Sequence, residues 1–453
     1  MAKGQLWETR PLEFWAKAKE LRAGWQKSIE SKEKVIAQGN SAGLGFGYSF
    51  NWAEAFPALT IIEDNPVGAM MQNKNAQYAR KARLASEIRG WGREICGYQG
   101  TCWGSQFLGY LEDDTPWPKR KMVLPFPARC GQHIKRGQQA RDFENIPQWN
   151  GDQAAYYGPF DAERNAPMLE HRVYCGYRVI NDIERIFGQK FDDGAVDELR
   201  GNMEVMNQYA RDITTLMGRT IPTPLSVKDL YSVYTIGGLT KVDPQATLDF
   251  WKSVRDEVKW RADNHIAAVG NERFRWMEAH PPSWHFMKYY RYMEHYGAVC
   301  IGSEYSHMMA STQKMKLLPN GTIDFGDGGN MASSGEYPAD TPILTREDAC
   351  RLGAGIDVRW MPNWELSISA RVEENLIDFA EVMQADGALL AVWRHGEGCT
   401  QLRKQQGMLL KNAGLSVIHY EGSQPGDRTD LDEKRLLDQL DNWMQSLGLQ
   451  KDI

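Results

Sequence analysis

The sequence has no apolar run long enough to cross a bilayer and no excess of positive charge. A membrane-spanning helix needs about 20 consecutive apolar residues, and this 453-residue chain has no run approaching that length. Its formal net charge is −6, whereas nucleic-acid binding needs a basic face. Residues 1–34 are charged and amphipathic, without the apolar centre of a secretory signal. We therefore expect neither nucleic acid nor a membrane as partner, and a cytoplasmic location.

The sequence also lacks the paired cysteine spacings of zinc and ferredoxin sites. It has seven cysteines, and disulfides are disfavoured in a reducing cytosol. They must therefore be core residues, metal ligands or nucleophiles. The nearest pair, Cys96 and Cys102, is separated by five residues in CGYQGTC, which fits neither pattern. Spacing alone does not define a metal site.

Phosphate-binding motifs are missing too. No GxxxxGK[ST] sequence is present, and the GxGxG of residues 43–47 follows no clear strand, so it indicates a flexible turn rather than a dinucleotide site. In contrast, aromatic residues are abundant, with 16 Trp and 18 Tyr. Large amphipathic rings suit buried interfaces and flat-ligand pockets, which suggests a partner subunit.

Alternating apolar strands and amphipathic helices, clearest in the second half of the chain, predict an α/β protein. We expect two doubly wound parallel-sheet domains of the Rossmann or flavodoxin-like type, with additional helical segments. The Pro-rich TIPTPLS places the boundary between residues 1–225 and 226–453. Residues 317–337 indicate a long mobile loop. Strands are predicted at 121–127, 273–280, 298–305, 387–394 and 415–421, and helices at 6–38, 74–95, 168–217, 285–297, 367–385, 401–414 and 431–447.

The cysteines fall into two groups by context. One group lies in loop-like sequence beside glycine and is suited to hold a cluster, because glycine lets the backbone approach inorganic sulfide: Cys96, Cys130 and Cys399. The other lies inside predicted helices or a strand and is expected in the core: Cys175, Cys300 and Cys350. Cys130 and Cys399 each follow a predicted strand and precede a basic, Gln-rich helix. This similarity suggests two α/β units of similar design.

These segments resemble 2-hydroxyacyl-CoA dehydratases and ATP-dependent (class I) benzoyl-CoA reductases, from about residue 45 to the end. RGWGREICGYQGTCWG is similar to the family's cysteine, Gly-Tyr and later glycine, which assigns Cys96 as ligand with Gly104 as the matching glycine, rather than Cys102. Cys130 and Cys399 follow strands, as the second and third family cysteines do. The mid-chain helices and the C-terminal pattern are also similar, the latter at Glu421, Asp427, Asp430 and Gln439. Departures are Gly100, where members often carry Arg, and Ala53-Glu54 in place of Pro-Glu.

The resemblance implies a [4Fe–4S] cluster held by Cys96, Cys130 and Cys399, with one iron free of protein ligands. It implies the larger cluster-binding subunit of a benzoyl-CoA reductase, which reduces the aromatic ring of benzoyl-CoA to a cyclic dienoyl-CoA. The implied partners are a paralogous cluster-binding subunit and an ATP-hydrolysing iron–sulfur activator. The alternatives are a 2-hydroxyacyl-CoA dehydratase subunit, a non-catalytic electron-relay or scaffold subunit, and an α/β protein with structural cysteines only.

Electron transfer to a thioester must be followed by protonation, so acids near the third cysteine are candidates. His395 and Glu397 lie four and two residues before Cys399. Ser49 lies where the family's first strand meets its helix. Each of these residues also has a plain alternative as a surface or capping residue. Comparable loop positions are occupied by Ser303, Tyr305 and His307.

Overall fold

The protein is described by a computed structural model. The described residues are 5–30, 35–38, 55–56, 59–63, 75–92, 97–112, 114, 116–117, 120–124, 131–148, 162–233, 236, 243–278, 286–303, 315–325, 337–338, 340–365, 370–393, 403–422 and 432–452.

The first sheet is short and parallel. Helix α1 (Phe14–Glu30) precedes strand β1 (Val35–Gln38), which pairs with β2 (Thr60–Glu63) on one side and with β3 (Met122–Leu124) on the other. The prediction of one helix over 6–38 is wrong at its C-terminal end, because VIAQ satisfies its backbone groups by pairing with two strands that are distant in sequence. The predicted strand at 121–127 is confirmed as β3.

Helices cover the middle of the chain. The predicted helix at 74–95 is confirmed as the shorter α2 (Ala76–Glu87), which is capped by the side chain of Asn75. Helices α3 (Gly97–Leu108) and α4 (Gly131–Glu144) follow. The long helical prediction at 168–217 is confirmed as two helices, and Gly188 ends the first of them with a φ of 64°. These are α5 (Ala162–Phe187) and α6 (Ala195–Arg219).

The second sheet has four parallel strands in the order β5-β4-β8-β9. They are β4 (Phe274–Glu278), β5 (Ala298–Ser303), β8 (Gly387–Trp393) and β9 (Ser416–Gly422), and all four confirm predicted strands. The chain passes from β4 to β5 on one side and from β8 to β9 on the other. The direction of winding therefore reverses between β4 and β8.

Helices pack on both faces of this sheet. On one face the Trp276 ring of β4 stacks on Tyr290, with the ring centroids 5.3 Å apart. On the other, the neighbouring Arg275 donates to the backbone carbonyls of Met217 and Gly218 in α6. The α/β class is confirmed, and the division into two doubly wound domains stays a prediction. The remaining described helices are α7 (Val227–Ser232), α8 (Pro244–Asp263), α9 (Lys288–Glu294), α10 (Arg346–Glu365), α11 (Ala370–Val382), α12 (Arg403–Asn412) and α13 (Glu433–Ser446).

The insert after β5 is not a loop throughout. Strands β6 (Lys316–Leu317) and β7 (Ile323–Asp324) form an antiparallel hairpin. Its turn includes Gly321 at a φ of 83°, a conformation that glycine adopts without strain. The prediction of a loop over 317–337 is therefore wrong in its first part.

One large hydrophobic core extends from Phe14 of α1 to Met444 of α13, and a separate small cluster is formed by Tyr78 and Ala82 of α2. The segment 220–226 lies close to this core, and Thr223 within it is buried and donates its backbone N–H to Glu272. The domain boundary that we expect there stays a prediction. Among the described helices, none combines the length and apolar character needed to span a membrane.

Candidate functional site

The predicted site residues lie outside the described residues. This holds for the three proposed cluster ligands and for the three candidate proton-handling side chains: Cys96, Cys130, Cys399, His395, Glu397 and Ser49. Their assignments stay predictions. Their positions along the chain are nonetheless defined, because the first two cysteines directly precede α3 and α4, and the third falls between β8 and α12.

The other four cysteines are buried singly in four different elements. They lie in α3, α5, β5 and α10, and each is at most 8% exposed: Cys102, Cys175, Cys300 and Cys350. Burial raises the pKa of the Cys350 thiol to about 12 and holds the pKa of Cys300 well above its usual range. A protonated, buried thiol is a poor ligand. The expected core role of the last three is confirmed, and Cys102 joins them.

The four buried cysteines are therefore poor metal ligands, and a metal site would need other residues. Among the described residues, no group of three or more His, Cys, Asp or Glu side chains is placed to hold a metal ion. Removing the four buried thiols leaves three cysteines, the number that a [4Fe–4S] cluster with one open iron requires. The donor set of the chain thus fits the predicted cluster in chemistry and in number.

The glycine of the first cysteine motif has a packing role. A Cβ atom on Gly104 would lie 1.7 Å from the backbone oxygen of Ala82, so α3 crosses α2 in direct backbone contact. Nearby, the hydroxyl of Ser86 donates to the carbonyl of Gly100 at 2.6 Å. No other residue type fits at the crossing without moving a helix.

The helices that follow Cys96 and Cys130 are tied to each other. Glu144 at the end of α4 accepts hydrogen bonds from Gln106 of α3 and from Trp117, and it pairs with the buried Arg120. The rings of Phe107 and Phe143 meet edge to face, with centroids 5.0 Å apart. The two helices are therefore held in a fixed relation.

A second group of polar side chains lies at the carboxyl end of β4, one of the two strands between which the winding of the larger sheet reverses. Open α/β sheets bind their ligands outside the carboxyl ends of the strands at this point. Glu278 is the last residue of β4, and it pairs in register with Ser303 of β5 and Leu389 of β8. Strand β8 continues four residues further, to Trp393, and leads into the segment with Cys399.

The Glu278 carboxylate is buried among hydroxyl groups. It accepts hydrogen bonds from Tyr231 of α7 and Tyr290 of α9, both at 2.6 Å, and a longer one from Tyr289 at 3.4 Å. Ser303 bonds it as well. Burial raises the pKa of Glu278 to about 7, against the opposing effect of these donors. Glu278 therefore changes protonation state near neutral pH.

A bulge in β5 brings Ser303 into this group. Trp276 pairs with Cys300 but Met277 pairs with Gly302, so Ile301 is an extra residue. Side chains alternate along a strand, and an extra residue restores Ser303 to the face that carries Glu278. The Ser303 hydroxyl then lies 2.8 Å from that of Tyr231.

Glu278 was not among the candidate residues predicted from the sequence. Two features of the sequence point to it: an acidic residue at the end of an apolar strand, and the tyrosine-rich segment KYYRYME of α9. Ser303 was noted only as a loop position, whereas it is the last residue of β5 and buried.

The fold is that of an α/β protein with a parallel four-stranded sheet whose winding reverses between β4 and β8. Residues 93–324, which are 232 of 453, match the family model described as 2-hydroxyglutaryl-CoA dehydratase, D-component. The chain belongs to this family, and the predicted kinship with 2-hydroxyacyl-CoA dehydratases is confirmed. The matched range includes Cys96, Cys130 and Glu278. No curated protein matches the chain.

Proposed function

We propose that the chain is an iron–sulfur subunit that passes single electrons to an acyl-CoA thioester, with Cys96, Cys130 and Cys399 as the ligands of a [4Fe–4S] cluster. The observation that carries the proposal is the family match, which begins at the first cysteine motif and extends over the second. Membership of this family is compatible with such chemistry in partnership with another subunit.

The strand order supports a role for the third cysteine. Strand β8 lies beside β4 at the winding reversal, and residues 394–400 follow it directly. A ligand carried after the carboxyl end of a central strand lies toward the edge where such sheets bind their ligands. The buried thiols elsewhere in the described part of the chain leave these three cysteines as the donor set.

The cluster, when bound, would supply low-potential single electrons and an iron open to an oxygen ligand. The residues of the chain would supply the rest. The contact at Gly104 and the Glu144 interactions fix the helices that follow Cys96 and Cys130. The acid group around Glu278 would hold a proton at the carboxyl end of β4, in the four-stranded sheet.

Two reactions share this electron transfer. One is reduction of benzoyl-CoA to a cyclic dienoyl-CoA, and the other is removal of water from a 2-hydroxyacyl-CoA. The abundance of aromatic residues favours the first, whereas the description of the matching family favours the second. In both cases we infer a paralogous cluster-binding subunit and an ATP-hydrolysing iron–sulfur activator as partners, in a cytoplasmic complex.

The cluster assignment is tested by replacing one cysteine at a time. We expect Cys399→Ser to abolish the visible absorption of the cluster and to lower the bound iron and sulfide of the anaerobically purified protein. Cys102→Ala is the matched control, because Cys102 lies six residues after Cys96 but is buried in α3. Its iron content should remain that of the unchanged protein. Full iron in Cys399→Ser, or its loss in Cys102→Ala, would contradict the assignment.

The reaction is tested with the assembled heteromer and its activator. Supplied with ATP and reductant, it should consume either benzoyl-CoA or a 2-hydroxyacyl-CoA. Formation of a dienoyl-CoA identifies the reductase, and formation of an enoyl-CoA identifies the dehydratase. A complex with intact clusters that converts neither class of thioester would leave only the electron-relay role.

A further inference from the structure

Glu278 differs from three other buried or half-buried glutamates of the described residues in the chemistry of its partners. Every hydrogen bond described for its carboxylate comes from a hydroxyl group. By contrast, Glu272 pairs with Arg275, Glu294 with Lys228, and Glu144 with Arg120. A buried carboxylate is usually compensated by a cation, which keeps it ionised. Glu278 is instead surrounded by groups that can bond either of its protonation states.

Among the described residues, the polar groups that face Glu278 come from α7, α9 and β5. Tyrosine hydroxyls approach from α7 and α9, and a thiol and a hydroxyl approach from β5. Burial holds the pKa of each of these tyrosines and of the thiol well above its ordinary value, so none of them loses its proton near neutral pH. The groups are Tyr231, Tyr289, Tyr290, Cys300 and Ser303, with Tyr420 of β9 beyond Tyr289. Compared with Tyr231, Tyr289, Tyr290 and Cys300, whose pKa values are raised, it is the carboxyl group of Glu278 that titrates in this range.

A path leads from this carboxyl group to the edge of the sheet. Tyr231 bonds Glu278 at 2.6 Å and Ser303 at 2.8 Å, and Ser303 also bonds the carboxylate. Ser303 is the last residue of β5 and therefore lies at the carboxyl end of the strand. The bulge at Ile301 is what turns its hydroxyl toward Glu278. Bulges recur next to active sites, where they redirect a side chain.

We propose that Glu278 stores a proton and that Ser303 delivers it to the ligand edge of the four-stranded sheet, with Tyr231 orienting both groups. This inference deepens the proposed function, on which it rests, by naming a proton source for the acyl-CoA reaction. Both candidate reactions need a proton donor at one step, because a reduced thioester must be protonated and a leaving hydroxyl departs as water.

The transfer balances without any redox partner. The O–H bond of the Glu278 carboxyl group breaks as its proton passes to Oγ of Ser303. The hydroxyl proton of Ser303 passes at the same time to the acceptor at the edge of the sheet. Ser303 ends as a neutral hydroxyl and Glu278 as a carboxylate that accepts bonds from Tyr231 and Tyr290. A proton from water restores the carboxyl group.

The stored proton can be observed without turnover. Infrared difference spectra of the full chain, recorded between pH 5 and 9, should show a protonated carboxyl band that disappears around neutral pH. The band should be missing in Glu278→Gln and present in Glu294→Gln. Glu294 is a matched control because it is also mostly buried, yet it bonds Lys228 and lies at the end of α9, just before β5 begins. A band unchanged in Glu278→Gln overturns the proposal.

Delivery is tested by kinetics in the assembled complex. Glu278→Gln should lower the proton-dependent turnover about 100-fold, in line with the loss of a general acid, and should abolish the decline in rate above neutral pH. Ser303→Ala should retain the infrared band but lower turnover and increase the solvent isotope effect. It removes one hydroxyl only, so it tests the path even if Glu278→Gln does not fold.

The outcomes separate this inference from the proposed function. Undiminished turnover in Ser303→Ala, or an unchanged pH profile in a folded Glu278→Gln, overturns the relay while the acyl-CoA activity stands. A wild-type complex that converts no acyl-CoA overturns the proposed function and the relay with it, whatever the infrared band shows. The band, the altered pH profile and the isotope effect together support the relay.

Discussion

The two ends of strand β4 bury a glutamate in opposite ways. Just before the strand, Glu272 pairs with Arg275 at 2.9 Å and accepts the backbone N–H of Thr223 at 2.6 Å. Arg275 also donates to backbone carbonyls at the ends of α6 and α11. At the last residue of the strand, Glu278 has tyrosine and serine hydroxyls for partners.

We call the surroundings of Glu272 the amino edge of the sheet and those of Glu278 its carboxyl edge. The partners of the amino edge hold the structure together, whereas those of the carboxyl edge allow a proton to be exchanged. Burial raises the pKa of Glu272, and the charge of Arg275 acts against that rise. Its ionised form is thus tied to the arginine, which in turn caps two helices. No described bond ties Glu278 to a cation, so its proton can leave and return without breaking the fold. Mutations at the amino edge should therefore lower the free energy of unfolding. Mutations at the carboxyl edge should change how that free energy depends on pH.

The largest effect should come from breaking the amino edge. We expect Arg275→Met to lower the free energy of unfolding by about 4 kcal/mol, because it leaves a buried carboxylate and several carbonyls unpaired. Urea unfolding measures the loss. Arg273→Ala is the matched control, since Arg273 pairs with Asp452 at the surface and should contribute below about 1 kcal/mol. Equal losses in the two variants would remove the distinction between a buried and an exposed pair.

A smaller, pH-dependent effect should mark the carboxyl edge. The pKa of Glu278 rises from an ordinary 4.5 to about 7 on folding. The stability linked to a raised pKa is complete below pH 4.5 and is lost as pH rises to 7, which amounts to about 3 kcal/mol. Glutamine does not titrate, so Glu278→Gln should gain stability relative to the wild type over this window.

Urea unfolding of both proteins at pH 5 and pH 8 measures this difference. The variant Glu294→Gln should show a smaller change in the same direction, because burial also raises the pKa of Glu294 whereas Lys228 acts against that rise. If the stability difference between wild type and Glu278→Gln does not change with pH, then Glu278 does not titrate in this range, and the proposed difference between the two edges is wrong.

The smallest effect should distinguish two tyrosines on the same carboxylate. Tyr290→Phe removes a donor at 2.6 Å and should raise the pKa of Glu278 by about one unit, since a hydrogen bond to a charged group contributes roughly 1.5 kcal/mol. Tyr289→Phe removes a donor at 3.4 Å and should change it less. The infrared titration of the carboxyl band measures both. A larger shift in Tyr289→Phe would contradict the described geometry.

Much of the larger sheet could be predicted from the sequence. The apolar runs of β5, β8 and β9 are bounded by polar or glycine residues, and the observed strands agree with the predicted ones to within two residues at either end. Strand β1 was missed because its four residues follow a strong helical pattern, and its pairing partners are distant in sequence. Pairing decided its structure, which local periodicity cannot show.

The group of hydroxyls around Glu278 could not be predicted from sequence patterns for a similar reason. Tyr231 and Glu278 are 47 residues apart, and no motif links them. The orientation of Ser303 depends on one unpaired residue in β5, and the strand sequence AVCIGS gives no sign of that residue. For the proposed cluster, the resemblance supplied Cys96, Cys130 and Cys399 as candidate ligands, which spacing alone could not identify.

The backbone contact between Gly104 and Ala82 limits how α2 and α3 can be arranged. Two helices in contact through their main chains have no layer of side chains between them that could adjust to a rotation. The pair therefore has one allowed packing arrangement. A protein engineer who exchanged Cys96 would leave that arrangement intact, whereas a change at Gly104 would misplace the start of α3 even with every thiol present. The glycine of the motif therefore fixes the helix crossing, whereas the role that we propose for Cys96, eight residues earlier, is chemical.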